Sequence, residues 1–402
     1  MSMIPYGRQG ITQQDIDAVV EVLRSDFLTQ GPAVPRFELA VAERVGARHA
    51  VAVNSATSAL HIACMALGLG PGDRLWTVPN TFVASANCAR YCGAAVDFVD
   101  IDPRTWDMSV AALSDKLARA ASAGQLPKVV VPVHFSGQPT RQEAIHELAR
   151  RYGFKVLEDA SHAVGAARHN EPVGSCRWSD ITVFSFHPVK IVTSGEGGMA
   201  LSNDAELAER MALLRSHGIT RDPQRFVGRG FAADVGDAGE GAPAPWYYEQ
   251  QELGFNYRMT DIHAALGVSQ LQRLSAYVEQ RNVLARRYDE LLQGLGLQLP
   301  TLTEGNLSAF HLYVVRLQSG AHTKTRRQVF DELRRAGIGV NLHYSPVYLH
   351  PYYRALGFAP GQCPEAERYG REALTLPLYP GLTLERQDEV VGALRRVLSA
   401  PT

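Results

Sequence analysis

Short apolar runs recur along the first two thirds of the chain, and stretches with helical spacing separate most of them. The runs are His49 to Val53, Leu75 to Val78, Ala95 to Phe98, Val129 to Val133, Lys155 to Leu157 and Ile181 to Phe184. Near-continuous apolar strands are the mark of a sheet buried on both faces. Thr12 to Arg24 supplies one helical stretch. It opens with Thr12-Gln13-Gln14-Asp15, close to a capping box, and Ile16, Val19, Val20 and Leu23 then repeat at helical spacing. Phe37 to Val45 is a second such stretch. Leu60 to Leu69 is a third, and Gly70-Pro71-Gly72-Asp73 reads as its stop signal. Strand and helix at this rhythm predict an α/β fold with a mainly parallel sheet covered by helices.

The rhythm changes further on. Residues 228 to 245 are rich in Gly, Ala and Pro, and a loop this long inside a compact unit is usually functional or mobile. Met259 to Leu292 is strongly helical. Beyond it, Leu312 to Leu317 and Val340 to Tyr344 read as strands, and Thr325 to Ala336 and Leu384 to Leu398 as helices. The expected division is therefore a large domain over residues 1–265 and a smaller α+β domain over 266–402. A chain of 402 residues has room for two such units.

Charge narrows the function classes. Forty Lys and Arg stand against 41 Asp and Glu, a net charge of −1, so the broad basic field of a nonspecific nucleic-acid binder is excluded. A small anionic ligand needs only a local pocket and stays open. The five cysteines are too scattered for a disulfide framework and read as structural thiols. No run of 18 apolar residues suggests a membrane span, and Met1 to Tyr6 lacks the pattern of a signal peptide, so a cytoplasmic protein is expected.

Two segments could carry chemistry. Lys155-Val156-Leu157-Glu158-Asp159 is a strand ending in two acids, and ligands of open α/β sheets bind beyond the carboxyl ends of strands. A helix cap is the plainer role for such an Asp. Thirty-one positions later stands Lys190, set among Phe184, Phe186, Pro188, Val189, Ile191 and Val192 and followed by Gly195-Glu196-Gly197-Gly198. A solvated surface lysine is the ordinary case. An apolar setting instead lowers an amine's pKa and makes it a nucleophile suited to Schiff-base chemistry. An acid and a buried lysine in this order suggest pyridoxal phosphate (PLP), which takes a lysine for its aldimine and an acid for its pyridinium nitrogen. Ser55-Ala56-Thr57-Ser58, at a helix start, offers the N–H groups that a phosphate needs.

These residues carry a resemblance. The chain resembles the DegT/DnrJ/EryC1/StrS family of PLP-dependent sugar aminotransferases, which have the aspartate-aminotransferase type of fold, fold type I. The likeness runs through Leu28-Thr29-Gln30-Gly31, the Ser55 segment, Thr81 to Ala84, Glu158 to Gly165, Phe184 to Gly198, Gly254 to Arg258 and His343-Tyr344-Ser345-Pro346. Within the family the chain is most similar to the transaminases of pseudaminic acid biosynthesis. Ser185-Phe186-His187, Arg215 to Gly218 and Glu252 to Arg258 carry that part of the likeness.

The resemblance implies roles for individual residues. Lys190 is expected to form the aldimine and move the proton, and Asp159 to keep the pyridine nitrogen protonated. Phe82 is expected to stack on the ring and His162 to contact it. Ala56, Thr57 and Ser185 would hold the phosphate. Asn256 would reach the phosphate of a neighbouring subunit's cofactor, which implies a homodimer with shared sites. Tyr6, Asp26, Phe27, Leu28 and Thr29, with His343, Tyr344, Ser345 and Pro346, match substrate-contacting segments. Arg225, Arg229 and Arg258 are candidates for a diphosphate. The implied reaction moves an amino group from L-glutamate to C4 of a UDP-4-keto-6-deoxy-N-acetylhexosamine. Another sugar C3 or C4 amination within the family is the alternative. Family members that act as dehydratases carry His in place of the aldimine lysine, and Lys190 argues against that class. Intact Asp159 and Lys190 disfavour a noncatalytic homologue.

Overall fold

The computed structural model describes residues 3–227, 245–318 and 320–399. The 228–245 insertion, apart from Pro245, and Arg229 within it lie outside the described residues. Seven strands form the main sheet: β1 (His49–Val53), β2 (Arg74–Thr77), β3 (Ala95–Phe98), β4 (Val129–Val131), β5 (Lys155–Asp159), β6 (Ile181–Ser185) and β7 (Gly198–Ser202). Their order is β1-β7-β6-β5-β4-β2-β3. β2 to β6 run parallel, and β7 is antiparallel to both its neighbours. Sequence reading finds the first six strands but not β7, whose Met199-Ala200-Leu201 run is hidden behind the glycines that precede it. β4, β6 and β7 are buried along their whole length.

The layers come from helices α1 (Gln13–Leu23), α2 (Ala33–Val45), α3 (Ala56–Ala66), α4 (Ala84–Tyr91), α5 (Val110–Ala123), α6 (Gln142–Tyr152) and α7 (Ala205–Arg215). α3 is buried from Ser58 to Cys64 because it lies on β6 and β7 with α4 and α7 against its other sides. It starts four residues before the expected Leu60. Ser55 caps it, its hydroxyl accepting from the Ser58 N–H at 3.1 Å. It stops at Ala66 because Gly68 takes φ of +73° and the Leu69 N–H turns back to the Cys64 carbonyl at 2.9 Å. The stop is thus Gly68 and not the Gly70-Pro71 pair.

The Met259 to Leu292 stretch is two helices, α8 (Asp261–Leu271) and α9 (Leu274–Leu291), broken at Gln272-Arg273. α8 packs on α1 and α2, so residue 265 falls inside a helix that belongs with the large sheet's cover. A second, antiparallel sheet of β8 (Leu297–Gln298), β9 (Tyr313–Leu317) and β10 (Ala373–Leu376) is covered by α10 (Arg326–Arg335) and α11 (Leu384–Ser399). It has its own core around Tyr288, Tyr313, Val329 and Leu394. The strand expected over Val340 to Tyr344 does not form. Only Asn341 pairs, with Thr375, after which the chain leaves the sheet and carries His343 and Tyr344 inward. Among the described residues no helix is long and apolar enough to cross a membrane.

The N-terminal segment is stitched to this second unit. The Ile4 N–H donates to the Gly337 carbonyl, the Gly339 N–H to the Ile4 carbonyl and the Leu378 N–H to the Tyr6 carbonyl, at 2.9, 2.7 and 3.0 Å. α1 is fastened to the large unit by Asp15, which is 1% exposed. Its carboxylate accepts from the Thr12 N–H, Ser269, Gln270 and Arg273, at 2.6–2.8 Å. Burial alone would raise the Asp15 pKa, but Arg273 and the other donors outweigh it and hold the carboxyl at about 2, below its ordinary 3.8. A depressed folded value means stability that is present above pH 4 and lost as the pH falls toward 2. Arg273→Ala is expected to cost about 2–3 kcal/mol at pH 7. The gap from the parent chain should close between those two pH values as Asp15 takes up its proton. Urea melts across that range read both effects, and equal midpoints at pH 7 would count against the account.

Candidate active site

Four segments that follow the carboxyl ends of β1, β2, β5 and β6 meet at one pocket of about 300 Å³. That is where the chain of an open α/β sheet leaves room for a ligand. Asp159 ends β5 and Ser185 ends β6. Ser55, Ala56 and Thr57 are the cap and first turn of α3, and Thr81 and Phe82 lead into α4. Lys190 lies in the turn between β6 and β7, and it lines the pocket with Asp159 and His162. From the second unit come His311, His343 and Tyr344, and from the N-terminal segment Tyr6.

The lysine turn is closed by its own backbone. The Lys190 N–H donates to the His187 carbonyl at 2.9 Å, and the Ser194 N–H to the Phe186 carbonyl at 3.0 Å. Burial presses the Lys190 ammonium down to about 8, against the opposing pull of the Asp159 charge. The amine is therefore available near neutral pH, where an ordinary lysine is not. Asp159 accepts from Ser85 Oγ at 2.6 Å and from the Ser161 N–H at 3.1 Å, which leaves its carboxylate free lone pairs on the pocket side.

Burial holds the imidazoles neutral. His162 is pushed well below its ordinary value, first by burial and then by Lys190 and His343. Its Nδ1 accepts from the Ser136 N–H at 3.3 Å, so the remaining proton sits on Nε2 and is offered to Tyr344 Oη at 3.3 Å. His343 is brought down to about 3 by burial and Lys190, and its Nδ1 meets Thr375 Oγ1 at 2.9 Å. The His311 ring lies 4.5 Å from that of His162, tilted by 43°, and is likewise kept neutral by burial. Its Nδ1 is buried with no hydrogen-bond partner among the described residues. Sequence reading missed His311. Its one signal was a histidine immediately before the β9 strand pattern.

Phosphate needs N–H groups that a helix cannot satisfy for itself. The first-turn N–H groups of Ala56 and Thr57 have no residue four positions back within the helix, and both residues line the pocket. The approach of β7 to this turn leaves no room for a side chain. A Cβ on Gly198 would lie 2.5 Å from the Ala56 nitrogen and the Ser55 carbonyl carbon. An amine held near neutrality, a carboxylate with free lone pairs and an anion-ready helix start around one cavity fit a PLP molecule in size and donor set.

Ten expected site residues thus share the pocket: Tyr6, Ala56, Thr57, Phe82, Asp159, His162, Ser185, Lys190, His343 and Tyr344. Phe82 stands at its mouth, 58% exposed, with its ring 6.4 Å from that of Tyr344. The others lie elsewhere in this chain. Asp26, Phe27, Leu28 and Thr29 form an exposed turn joined to α8, where the Asp261 N–H donates to the Leu28 carbonyl. Asn256 is exposed and bridges to Ser216. Ser345 is exposed and Pro346 buried, and neither lines the pocket. Arg225 pairs with Glu209 at 3.8 Å and Arg258 bridges to Val53, both outside the cavity.

Fold and pocket together define a PLP-dependent transferase of fold type I, and known proteins agree. The model of the DegT/DnrJ/EryC1/StrS aminotransferase family matches residues 9–395. The spore coat polysaccharide biosynthesis protein SpsC of Bacillus subtilis is 37% identical over 399 residues, covering 98% of this chain and 97% of that one. Helicobacter pylori PseC, an aminotransferase involved in the biosynthesis of pseudoaminic acid, superposes with a TM-score of 0.87 at 28% identity over 99% of both chains. The PLP form of Spr1654 from Streptococcus pneumoniae gives 0.85 at 28% identity over 98% of each. The chain belongs to the DegT/DnrJ/EryC1/StrS aminotransferase family. It is a sugar aminotransferase, and its cofactor is PLP.

Proposed function

We propose that this enzyme transfers the amino group of L-glutamate to C4 of a UDP-4-keto-6-deoxy-N-acetylhexosamine, in pseudaminic acid or a related nucleotide-sugar synthesis in the cytoplasm. The observation that carries the reading is the meeting of Tyr6, His343 and Tyr344 with Lys190 and Asp159 at one pocket. These bring an N-terminal and a C-terminal segment over the same lysine. The likeness to PseC over the full chain supports the choice of sugar.

When bound, PLP supplies an aldehyde to link amines and a ring that accepts the electrons of a broken C–H bond. Lys190 would hold the cofactor by its amine. Once displaced by the donor, the same amine would take a proton from the donor carbon and return one to the sugar carbon. Asp159 would hold a proton on the ring nitrogen. Ala56, Thr57 and Ser185 would bind the phosphate, and Phe82 would cover one ring face. His162, neutral and fixed by Ser136 and Tyr344, would present its ring to the cofactor without bringing a charge. Asn256 and the 26–29 turn are assigned to a second copy's pocket in a homodimer. Arg225, Arg229 and Arg258 remain the candidates for the diphosphate.

Single-turnover amination of a panel of UDP-4-keto, UDP-3-keto and TDP-4-keto sugars by the pyridoxamine form tests the substrate, with the product's stereochemistry read by NMR. The expected result is fastest turnover on the 6-deoxy-N-acetyl compound, with nitrogen appearing at C4. Preference for a 3-keto sugar or a TDP sugar would overturn the choice.

A further inference from the structure

Asp159 is fixed by a hydroxyl that lies outside the set of expected site residues. Ser85 is fully buried on the first turn of α4, and its Oγ is 2.6 Å from Asp159 Oδ2. The same Oγ lies 2.9 Å from Thr81 Oγ1 and 3.3 Å from the Phe82 carbonyl. A serine hydroxyl has one proton to give. The carboxylate is the nearest and the only charged of these acceptors, so it takes that proton. Thr81, itself 3% exposed, must then donate to Ser85. The result is a one-way relay from Thr81 through Ser85 to Asp159. Phe82 stands inside it, between the two hydroxyl residues in sequence.

We propose that Ser85, oriented by Thr81, is the positioning residue that aims the Asp159 carboxylate at the cofactor's ring nitrogen. Asp159 Oδ2 is occupied by Ser85, while Oδ1 accepts from the Ser161 N–H at 3.1 Å. With both oxygens bonded the carboxylate cannot rotate freely, and its remaining lone pairs are held toward the cavity. The ring proton thus faces a charge held at one place. One turn of chain, Thr81 to Ser85, therefore aligns two things at once: the aromatic cover over the ring and the acid at its edge.

The inference rests on the assignment of Asp159 to the ring nitrogen, so the test includes a variant of Asp159. The holoenzymes of Ser85→Ala, Ser85→Cys, Ser85→Thr, Thr81→Val and Asp159→Asn are titrated by the visible absorption band of bound PLP and assayed for the glutamate half-reaction. Ser85→Cys keeps the size of the side chain but is a weak donor, so it separates packing from hydrogen bonding. Loss of one bond to a charged group should lower kcat about tenfold in Ser85→Ala and Ser85→Cys, with KM for glutamate within about twofold. The band's pH midpoint should rise by about half a unit, because a carboxylate no longer aimed at the ring nitrogen leaves the ring less positive. Ser85→Thr should behave as the parent, and Thr81→Val should shift both readouts the same way by less. If Ser85→Cys matches the parent in midpoint and kcat while Asp159→Asn is impaired, Ser85 only fills space and the inference is overturned. If Asp159→Asn matches the parent, the assignment of Asp159 itself fails.

Discussion

Lys190→Ala is expected to remove the visible absorption band of the bound cofactor and to slow transamination on the order of 10⁴-fold, about 5.4 kcal/mol of transition-state stabilisation. The size of the effect follows from two duties on one amine. Lys190 holds the cofactor in a linkage that exchanges readily with incoming amines, and it is the base placed to move the proton. The substitution should leave the fold alone, within about 1 kcal/mol, because the backbone bonds of the turn do not depend on the side chain. A small external amine such as methylamine should restore part of the rate. The parent apoprotein gives a second readout. Burial lowers the folded value to about 8, so the neutral fraction rises about tenfold per pH unit below that point and levels off above it. The rate at which added PLP develops the band should follow that curve. A midpoint near 10.5, the ordinary lysine value, would mean that the pocket does not activate the amine.

Asp159→Asn is the second large effect. The exchange keeps shape and removes charge. Lys190 is intact, so the variant should still load cofactor and still show a visible band. What it loses is the anion that holds a proton on the ring nitrogen, and with it most of the ring's capacity to accept electrons. An electrostatic stabiliser of this kind is worth about 10²–10³ in kcat. Because the residue acts on the chemistry and not on donor binding, KM for glutamate should move little. Lys190→Ala and Asp159→Asn combined should be far less than multiplicative, since both act on the same proton transfer. A loss of less than threefold in Asp159→Asn would remove it from the mechanism.

The parts of this structure that could be read in advance are those fixed by local pattern. Six apolar runs became six strands because each is short and mostly apolar, with its buried positions in the sheet's interior. Asp159 was legible because it breaks an apolar pattern at a strand end, and Lys190 because it stands among apolar residues in the turn that follows one. The elements that escaped depend on distant partners. Val340 to Tyr344 has the composition of a strand, yet it gives up pairing after Asn341 because His343 and Tyr344 are drawn to a pocket built mostly by residues far earlier in the chain. β7 runs against its neighbours, and nothing in a run of five residues encodes direction. His311 and Ser85 gain their meaning only from what they touch: His162 for the one, and the carboxylate of Asp159 for the other. Neither contact leaves a period in the sequence.

The stitching of the N-terminal segment has a consequence for synthesis. Tyr6 is made long before Gly337, Gly339 and Leu378, whose groups hold its segment. A chain made at about 5–20 residues per second can assemble the large sheet while that segment still has nothing to dock on. Lys190 and Asp159 are then in place long before Tyr6, His343 and Tyr344 arrive to wall the pocket. The nascent protein thus passes through a stage with a reactive amine and an unfinished enclosure, which closes only when residues 337–378 have emerged to hold the Tyr6 segment over it.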